Sequence, residues 1–281
     1  MEGHGLKGHF LGIEGNEKSA IVLIPVPFDK TSTYGKGSDK GPAALIEASR
    51  NLETYDIDTD SEVYHKGILT DLSVIAKTSQ SLQNQLYTRV KGWLQKGKFV
   101  GVIGGEHAIS QAPIRAHAER EKELTILQLD AHADLYPEYE GNPYSHASVM
   151  ARVLEFPNVK IVSVGIRSLA KEELKLLKKT RSFFAKDLKG EWIPQVLKAL
   201  KGPVYITFDL DAFDSSIMPS TGTPEPGGLQ WNDAIELLQA VAKKCKVVGF
   251  DVVELCPISS NRAPDYLSAK LVYKLLSEVI Q

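Results

Sequence analysis

The residues most able to do chemistry in this 281-residue sequence are acids and histidines at short, regular spacings. Asp130-Ala131-His132-Ala133-Asp134 sets three ligand-type side chains at alternate positions. In an extended chain they face one way. One imidazole and several carboxylate oxygens suit a hard or borderline cation. Asp209 and Asp211 repeat the spacing, with Asp214 close behind. Gly104-Gly105-Glu106-His107 supplies another histidine after a tight glycine turn. Alone, a histidine there is more often a hydrogen-bonded structural residue. Together, His107, Asp130, His132, Asp134, Asp209 and Asp211 exceed the needs of one divalent ion, whereas two ions bridged by shared carboxylates use them well. Carboxylate-rich coordination favours Mn(II) over structural zinc. The two cysteines, Cys245 and Cys256, take no part.

Two further features stand near these residues. Asp251 and Glu254 lie in another apolar run, Gly249-Phe250-Asp251-Val252-Val253-Glu254. Glu254 is open to two uses, pairing with an arginine or receiving a cationic substrate group through a two-point fork. His146 sits on the Gly/Pro-rich stretch 136–148, as a proton shuttle or as a surface residue. The segment 220–228 is by itself only a turn signal.

Each of these groups needs a strand to carry it. β-rich runs occur at 20–26, 99–103, 124–129, 159–165, 204–210 and 247–253, with a weaker one at 182–185. Most are continuously apolar, as in parallel strands covered on both faces. Helical patterns lie between them. Leu82, Leu86, Val90, Trp93 and Leu94 form one stripe, and Ala234, Leu237, Leu238, Val241 and Ala242 another. Pro42 opens a helix with Ala44, Leu45 and Ala48, and Pro264 opens the last, with Leu267, Leu271, Leu275 and Val279 on one face. Alternation of this kind predicts a parallel sheet in a three-layer αβα sandwich, with ligands beyond the carboxyl ends of the strands. One domain over 1–281 is the simplest organisation, with residues 1–19 as a glycine-containing arm.

Composition narrows the function classes. Lys plus Arg is 33 against Asp plus Glu 35, so the net charge of −2 argues against a nucleic-acid binder. No apolar run approaches a membrane span, and the N-terminus lacks the pattern of a secretory signal. Two cysteines make no disulfide framework, which fits a reducing, cytoplasmic setting.

In their order, GGEH, DAHAD with its following SHAS, TFDLDAFD, TGTPEPGG and GFDVVEL resemble the ureohydrolase (arginase/agmatinase) family. The N-terminal stretch IPVPFDKTSTYGKGSDKGPAALIEASRNLETYD and the C-terminal SAKLVYKLLSEVI are also family-like, most like bacterial agmatinases. The resemblance implies a mostly parallel eight-stranded sheet, two Mn(II) ions per chain and hydrolysis of a guanidinium group to urea and an amine. By motif, His107, Asp130, Asp134 and Asp209 would bind one ion; His132, Asp130, Asp209 and Asp211 would bind the other. Asp130 and Asp209 would bridge. His146 matches the family's proposed proton shuttle, Glu254 the acid that orients the guanidinium, and Asp134 would assist the attacking water. A trimer or hexamer is the family expectation. Ser215, Thr207 and Ala108 depart from the usual motif, with small backbone effects expected and the Ser215 change bearing on the loop towards Ser220.

The substrate tail is read from the loop at 136–146. Glu138 and Glu140 stand there without Lys or Arg, which disfavours a carboxylate and tolerates an amine. Agmatine, giving putrescine and urea, is therefore the favoured small-molecule substrate, and polyamine synthesis the setting. Asn142 and Ser145 keep arginine or a guanidino acid open. A pseudoenzyme that binds polyamines, and a single-zinc deacetylase relative, are the remaining readings.

Overall fold

The computed structural model describes residues 8–280. The apolar runs form a parallel sheet of β1 (Ile21–Val26), β2 (Ile68–Thr70), β3 (Phe99–Gly104), β4 (Leu124–Leu129), β5 (Val159–Ile166), β6 (Arg181–Phe184), β7 (Val204–Asp209) and β8 (Val247–Val253). Its order is β2-β1-β3-β8-β7-β4-β5-β6, and every pairing is parallel. The expected α/β sandwich with eight strands is therefore correct, and no strand departs from parallel. β2, with three residues at the sheet edge, is too short to give a sequence signal.

Helices cover both faces. α1 (Gly41–Ser49), α6 (Trp192–Ala199), α7 (Trp231–Lys244) and α8 (Ala263–Val279) bury Leu45, Val196, Leu238 and Leu271 on one side. α2 (Ser79–Gln95), α3 (Gln111–Ala118) and α4 (Val149–Val153) bury Leu86, Ala116 and Met150 on the other. A short helix, α5 (Leu174–Leu177), follows β5. α2 shows why its stripe becomes a helix: the Thr78 side chain accepts the Ser81 N–H at its start, and Leu82, Leu86, Val90 and Leu94 face inward. Trp93 instead lies on the flank and donates its indole N–H to Asp71 at 2.6 Å.

Topology decides where a ligand can sit. β3 and β4 follow one another in the chain, yet β8 and β7 lie between them in the sheet. That reversal opens a crevice at the strand carboxyl ends. The ends of β3, β8, β7 and β4 are neighbours there, and they carry the four acid-bearing segments.

The expected N-terminal arm is docked over its described part. Phe10 is fully buried, its N–H donates to Thr70 Oγ1 at 2.9 Å, and the Leu11 N–H donates to Ser49 Oγ at 2.8 Å. Residues 1–7 lie outside the described structure.

One buried ionic cluster lies far from the strand ends. Lys274 Nζ on α8 donates to Asp56 at 2.8 and 3.0 Å and to Asp58 at 2.6 Å, and stands 2.9 Å from Glu278. The ammonium thus occupies the space among three acids that could otherwise suggest a metal site. Burial works to raise the Asp56 carboxyl, but Lys274 and Thr59 hold it below its ordinary range. Its stabilising contribution is complete above the unfolded value and fades as pH falls through the lower folded one. Removing one partner of a buried pair costs about 3–5 kcal/mol. Lys274→Met should lose that much at pH 7 in urea unfolding. The deficit should narrow near pH 4, where the stranded carboxyls take up protons. A loss below about 1 kcal/mol would show the cluster to be dispensable.

Candidate active site

Asp130 follows β4 directly and is fully buried. Its Oδ1 accepts the His132 N–H at 2.6 Å and its Oδ2 accepts from Gln128 Nε2 at 2.9 Å. The chain bends at Ala131, and His132 then pairs with Ser168 in an isolated bridge. It then turns. Asp134 has φ +53°, in the left-handed region that non-glycine residues avoid. The expectation of three ligands on one extended face therefore fails, since a bend at Ala131 separates Asp130 from His132. Asp134 reaches the site from a strained backbone.

Asp211 corrects a second expectation. β7 stops at Asp209, and Leu210–Ala212 is a 3-10 turn capped by the Asp209 side chain, whose Oδ1 accepts the Asp211 N–H at 2.8 Å. The turn, not the strand period, aims Asp211 at His132. Their contact is 2.8 Å, from His132 Nδ1 to Asp211 Oδ2.

His107 is fully buried just past β3. Its Nδ1 stands 2.9 Å from Asp134 Oδ2, 3.2 Å from Asp130 Oδ2 and 3.4 Å from Asp209 Oδ2, yet makes no well-directed hydrogen bond. Nε2 on the far side of the ring meets Thr207 Oγ1 at 2.9 Å. The ligand-type atoms form two groups, His107/Asp130/Asp134 and Asp130/His132/Asp211, each within 4.8 Å and sharing Asp130. Asp209 lies outside both groups and borders the first through His107. Carboxylates and imidazoles crowded this closely, with the buried His107 Nδ1 left without a directed partner, are what a cation-binding set looks like. This set fits two cations with a shared carboxylate.

Electrostatics agree. Burial, then the charges of Asp134 and Asp211, push Asp130 up to about 7. Asp209 is well above its ordinary range, from burial and then from Asp211 and Asp130. Burial opposes a proton on His132, but Asp211 beside it wins and raises the ring to about 11. Burial would raise Asp211 too, and the His132 charge instead holds it down to about 2. His107 also rises despite burial, because Asp130, Asp134 and Asp209 surround it. Positive charge is what this cluster lacks.

Outer groups hold these side chains. Thr207 Oγ1 donates to Asp251 Oδ1 at 2.7 Å, and Asp251 also accepts from Ser110 at 2.9 Å and Tyr205 at 2.9 Å. Asp251 is thus a buried acid inside β8 fed by hydroxyls, not a cleft residue. Thr207 matters more than its expected backbone effect, because its hydroxyl sets the His107 ring. Glu254 follows β8 at φ +69° and accepts the His107 N–H on Oε1 at 2.6 Å. No arginine pairs with it among the described residues.

His107, His132, Asp134, Asp209, Asp211 and Glu254 line a cleft of about 320 Å³ that also takes in His146, Tyr34, Tyr136, Tyr139 and Glu173. No Lys or Arg lines it. Glu138 and Glu140, the acids used to infer tail preference, are exposed and do not line it, so that argument transfers to Glu173 and Glu254. Asn142 and Ser145 spend polar atoms within their own loop, on Tyr144 N–H and Ser148. Neither lines the cleft. Ser215 makes no contact that explains a change of substrate fit. Asp214 beside it anchors the loop, accepting from Ser216, Gly227 and Gly228.

Sequence reasoning gave no role to Arg167, Glu173, Thr31 or Glu106. Arg167 was findable as a charge just past β5; it donates to the carbonyls of Gly165, Asp211, Phe213, Glu225 and Pro226 and straps two loops together. Glu106 was equally visible beside His107. Glu173 reaches the cleft from the 3-10 turn Lys171–Glu173 and Thr31 reaches His146 from the loop after β1, where no period marks them.

The arginase family model matches residues 19–278. The chain belongs to the arginase family. Relatives are similar along nearly their whole length. The N(1)-aminopropylagmatine ureohydrolase of Thermus thermophilus is 37% identical over 265 residues, 92% of this chain and 89% of that one. The agmatinase of Bacillus anthracis is 34% identical over 267 residues, 92% of each. The agmatine ureohydrolase structure of Thermoplasma volcanium superposes with a TM-score of 0.90 at 30% identity, covering 98% of this chain and 94% of that one. This arginase-family protein is therefore a hydrolase with agmatinase-like relatives. No helix among the described residues is long and apolar enough to cross a membrane.

The crowded charges make a stability prediction. Asp209→Asn keeps an oxygen to cap the Asp211 N–H and removes a carboxyl whose ionisation burial, Asp211 and Asp130 oppose. Stripped of divalent ions, the variant should melt above wild type by about 2–4 °C, the equivalent of roughly 1 kcal/mol. It should gain less than wild type when Mn(II) is added. A variant that melts lower than wild type in both states would argue that the acids do not repel.

Proposed function

We propose that this arginase-family hydrolase cleaves a guanidino amine to urea and the free amine, with agmatine the favoured substrate and putrescine the product. The observation that carries the reading is the cleft lining. It has carboxylates and tyrosines but no Lys or Arg, so a guanidinium and a distal ammonium are welcome and an α-carboxylate finds no cationic partner. N(1)-aminopropylagmatine is a second reading, supported by the 37% identical Thermus relative of that name and by the same lack of cations in the cleft.

Two Mn(II) ions would suit the shared-carboxylate set: His107, Asp130, Asp134 and Asp209 would hold one, and His132, Asp130, Asp209 and Asp211 the other. When bound, such a pair supplies a water nucleophile at neutral pH and electrostatic stabilisation of developing negative charge. The chain's own groups do the rest. Glu254 spends Oε1 on the His107 N–H, and Oε2 has no protein donor among the described residues. Oε2 can therefore take a guanidinium N–H and hold the carbon in register, where positioning is worth several kcal/mol. Burial, then the nearby charge of Glu106, pushes the Glu254 carboxyl well above its usual range. A docked guanidinium cation restores its charged form. Asp134, which lines the cleft, would accept a hydrogen bond from the attacking water and pass the proton towards the departing amine. His146, at the cleft wall, exchanges protons with solvent.

Urea release should be compared among agmatine, N(1)-aminopropylagmatine, arginine and 4-guanidinobutyrate, each with Mn(II). The two amines should be turned over at least about a hundredfold better in kcat/KM than the two acids, the size of one unmatched buried charge. Turnover of arginine alone would refute the proposal.

A further inference from the structure

The loop after β1 runs beside the turn that follows β3. Gly105 makes the approach possible, since a Cβ there would lie 2.1 Å from the Phe28 carbonyl oxygen. The Gly105 N–H donates to Val26 and the Glu106 N–H to Phe28, both at 2.8 Å. This pairing delivers Thr31 to a point between Glu106 and His146. Thr31 Oγ1 is 2.7 Å from Glu106 Oε1, 3.1 Å from His146 Nδ1 and 3.0 Å from the His146 backbone nitrogen.

With Glu106 ionised, proton counting gives the directions. Glu106 is fully buried, and its Oε2 accepts the N–H groups of Lys30 and Thr31 at 2.7 Å and of Ser32 at 3.3 Å. Burial raises the Glu106 carboxyl, and the Thr31 and Lys30 donors work against it; in its ionised form both oxygens accept. The Thr31 hydroxyl has one hydrogen, and it goes to Glu106 Oε1. Both of its lone pairs must then accept. One takes the His146 backbone N–H, so the other requires a hydrogen on His146 Nδ1. Nε2 is left with its lone pair, and no described residue hydrogen-bonds to it. Tyr139 packs edge-on against the ring, with centroids 5.7 Å apart, and opposes a ring flip.

We propose that Thr31, anchored on the buried Glu106 carboxylate, fixes His146 as the Nδ1–H tautomer and leaves Nε2 as the nitrogen that exchanges protons over the cleft. Thr31 is a positioning residue; it touches His146 and not the substrate. When Nε2 gains a proton, the imidazolium leans on the Glu106 charge through the Thr31 hydroxyl. When Nε2 loses it, the ring returns to the same tautomer and stays aimed. This inference rests on the reading of His146 as the proton carrier of a guanidino-amine hydrolase.

The test combines kinetics with a direct reading of the ring. Thr31→Val, Thr31→Ser, His146→Asn and the Val/Asn double variant are assayed with agmatine and N(1)-aminopropylagmatine. Thr31→Val should lower kcat about tenfold with KM within about twofold, and Thr31→Ser should recover most of that loss. In the His146→Asn background, Thr31→Val should cost nothing further, because its effect passes through His146. ¹⁵N NMR of the histidine-labelled full chain, loaded with diamagnetic Mg(II), should show a protonated Nδ1 and an unprotonated Nε2 for neutral His146. The opposite tautomer in wild type would overturn the inference, as would an equal loss from Thr31→Val with and without His146. If wild type hydrolyses neither amine, the functional reading fails, while the tautomer still decides the role of Thr31.

Discussion

Carboxylates that repel one another beyond the ends of buried strands are the constraint on which this structure turns. Asp130, Asp134, Asp209 and Asp211 are all nearly buried, and no lysine or arginine reaches the cleft they border. Such a cluster is costly unless positive charge enters it. Protons on His107 and His132 are the charge the chain itself can supply, which is why both rings are raised despite burial. Two divalent ions would replace them with four positive charges. The strained backbones at Asp134 and Glu254 follow from the same need, since each turns a carboxylate inward where relaxed geometry would not.

Around the cluster, each loop is tied by a buried or half-buried charge to backbone groups. Arg167 gathers carbonyls after β7, Asp214 gathers N–H groups of the 220–228 turn, and Glu106 gathers those of the loop after β1. These ties hold irregular chain in place where no sheet or helix can. The result is a cleft whose wall is rigid and negative. Its preference for cations belongs to the whole lining and not to one residue.

Much of this was legible because buried parallel strands read as apolar runs, and an acid after such a run has to be accounted for. β3, β4, β7 and β8 declared themselves that way, and their acids marked the site. Periodicity failed where the chain left the strand. Asp134 and Asp211 were assigned to extended faces, but a left-handed residue aims one and a 3-10 turn the other. Glu138 and Glu140 were near the site in sequence and away from it in space, because the loop carrying them turns its tyrosines inward. Thr31 was invisible for the converse reason. It lies 115 residues from His146 in the chain, and only the pairing beside Gly105 brings them together.

The central claim is that this cluster exists to be neutralised by two ions. Titration of the stripped chain with Mn(II), followed by metal analysis after dialysis and by melting temperature, tests it directly. The account predicts two ions per chain, with stability rising by several degrees as both sites fill. One ion per chain, or two without any gain in stability, would contradict it.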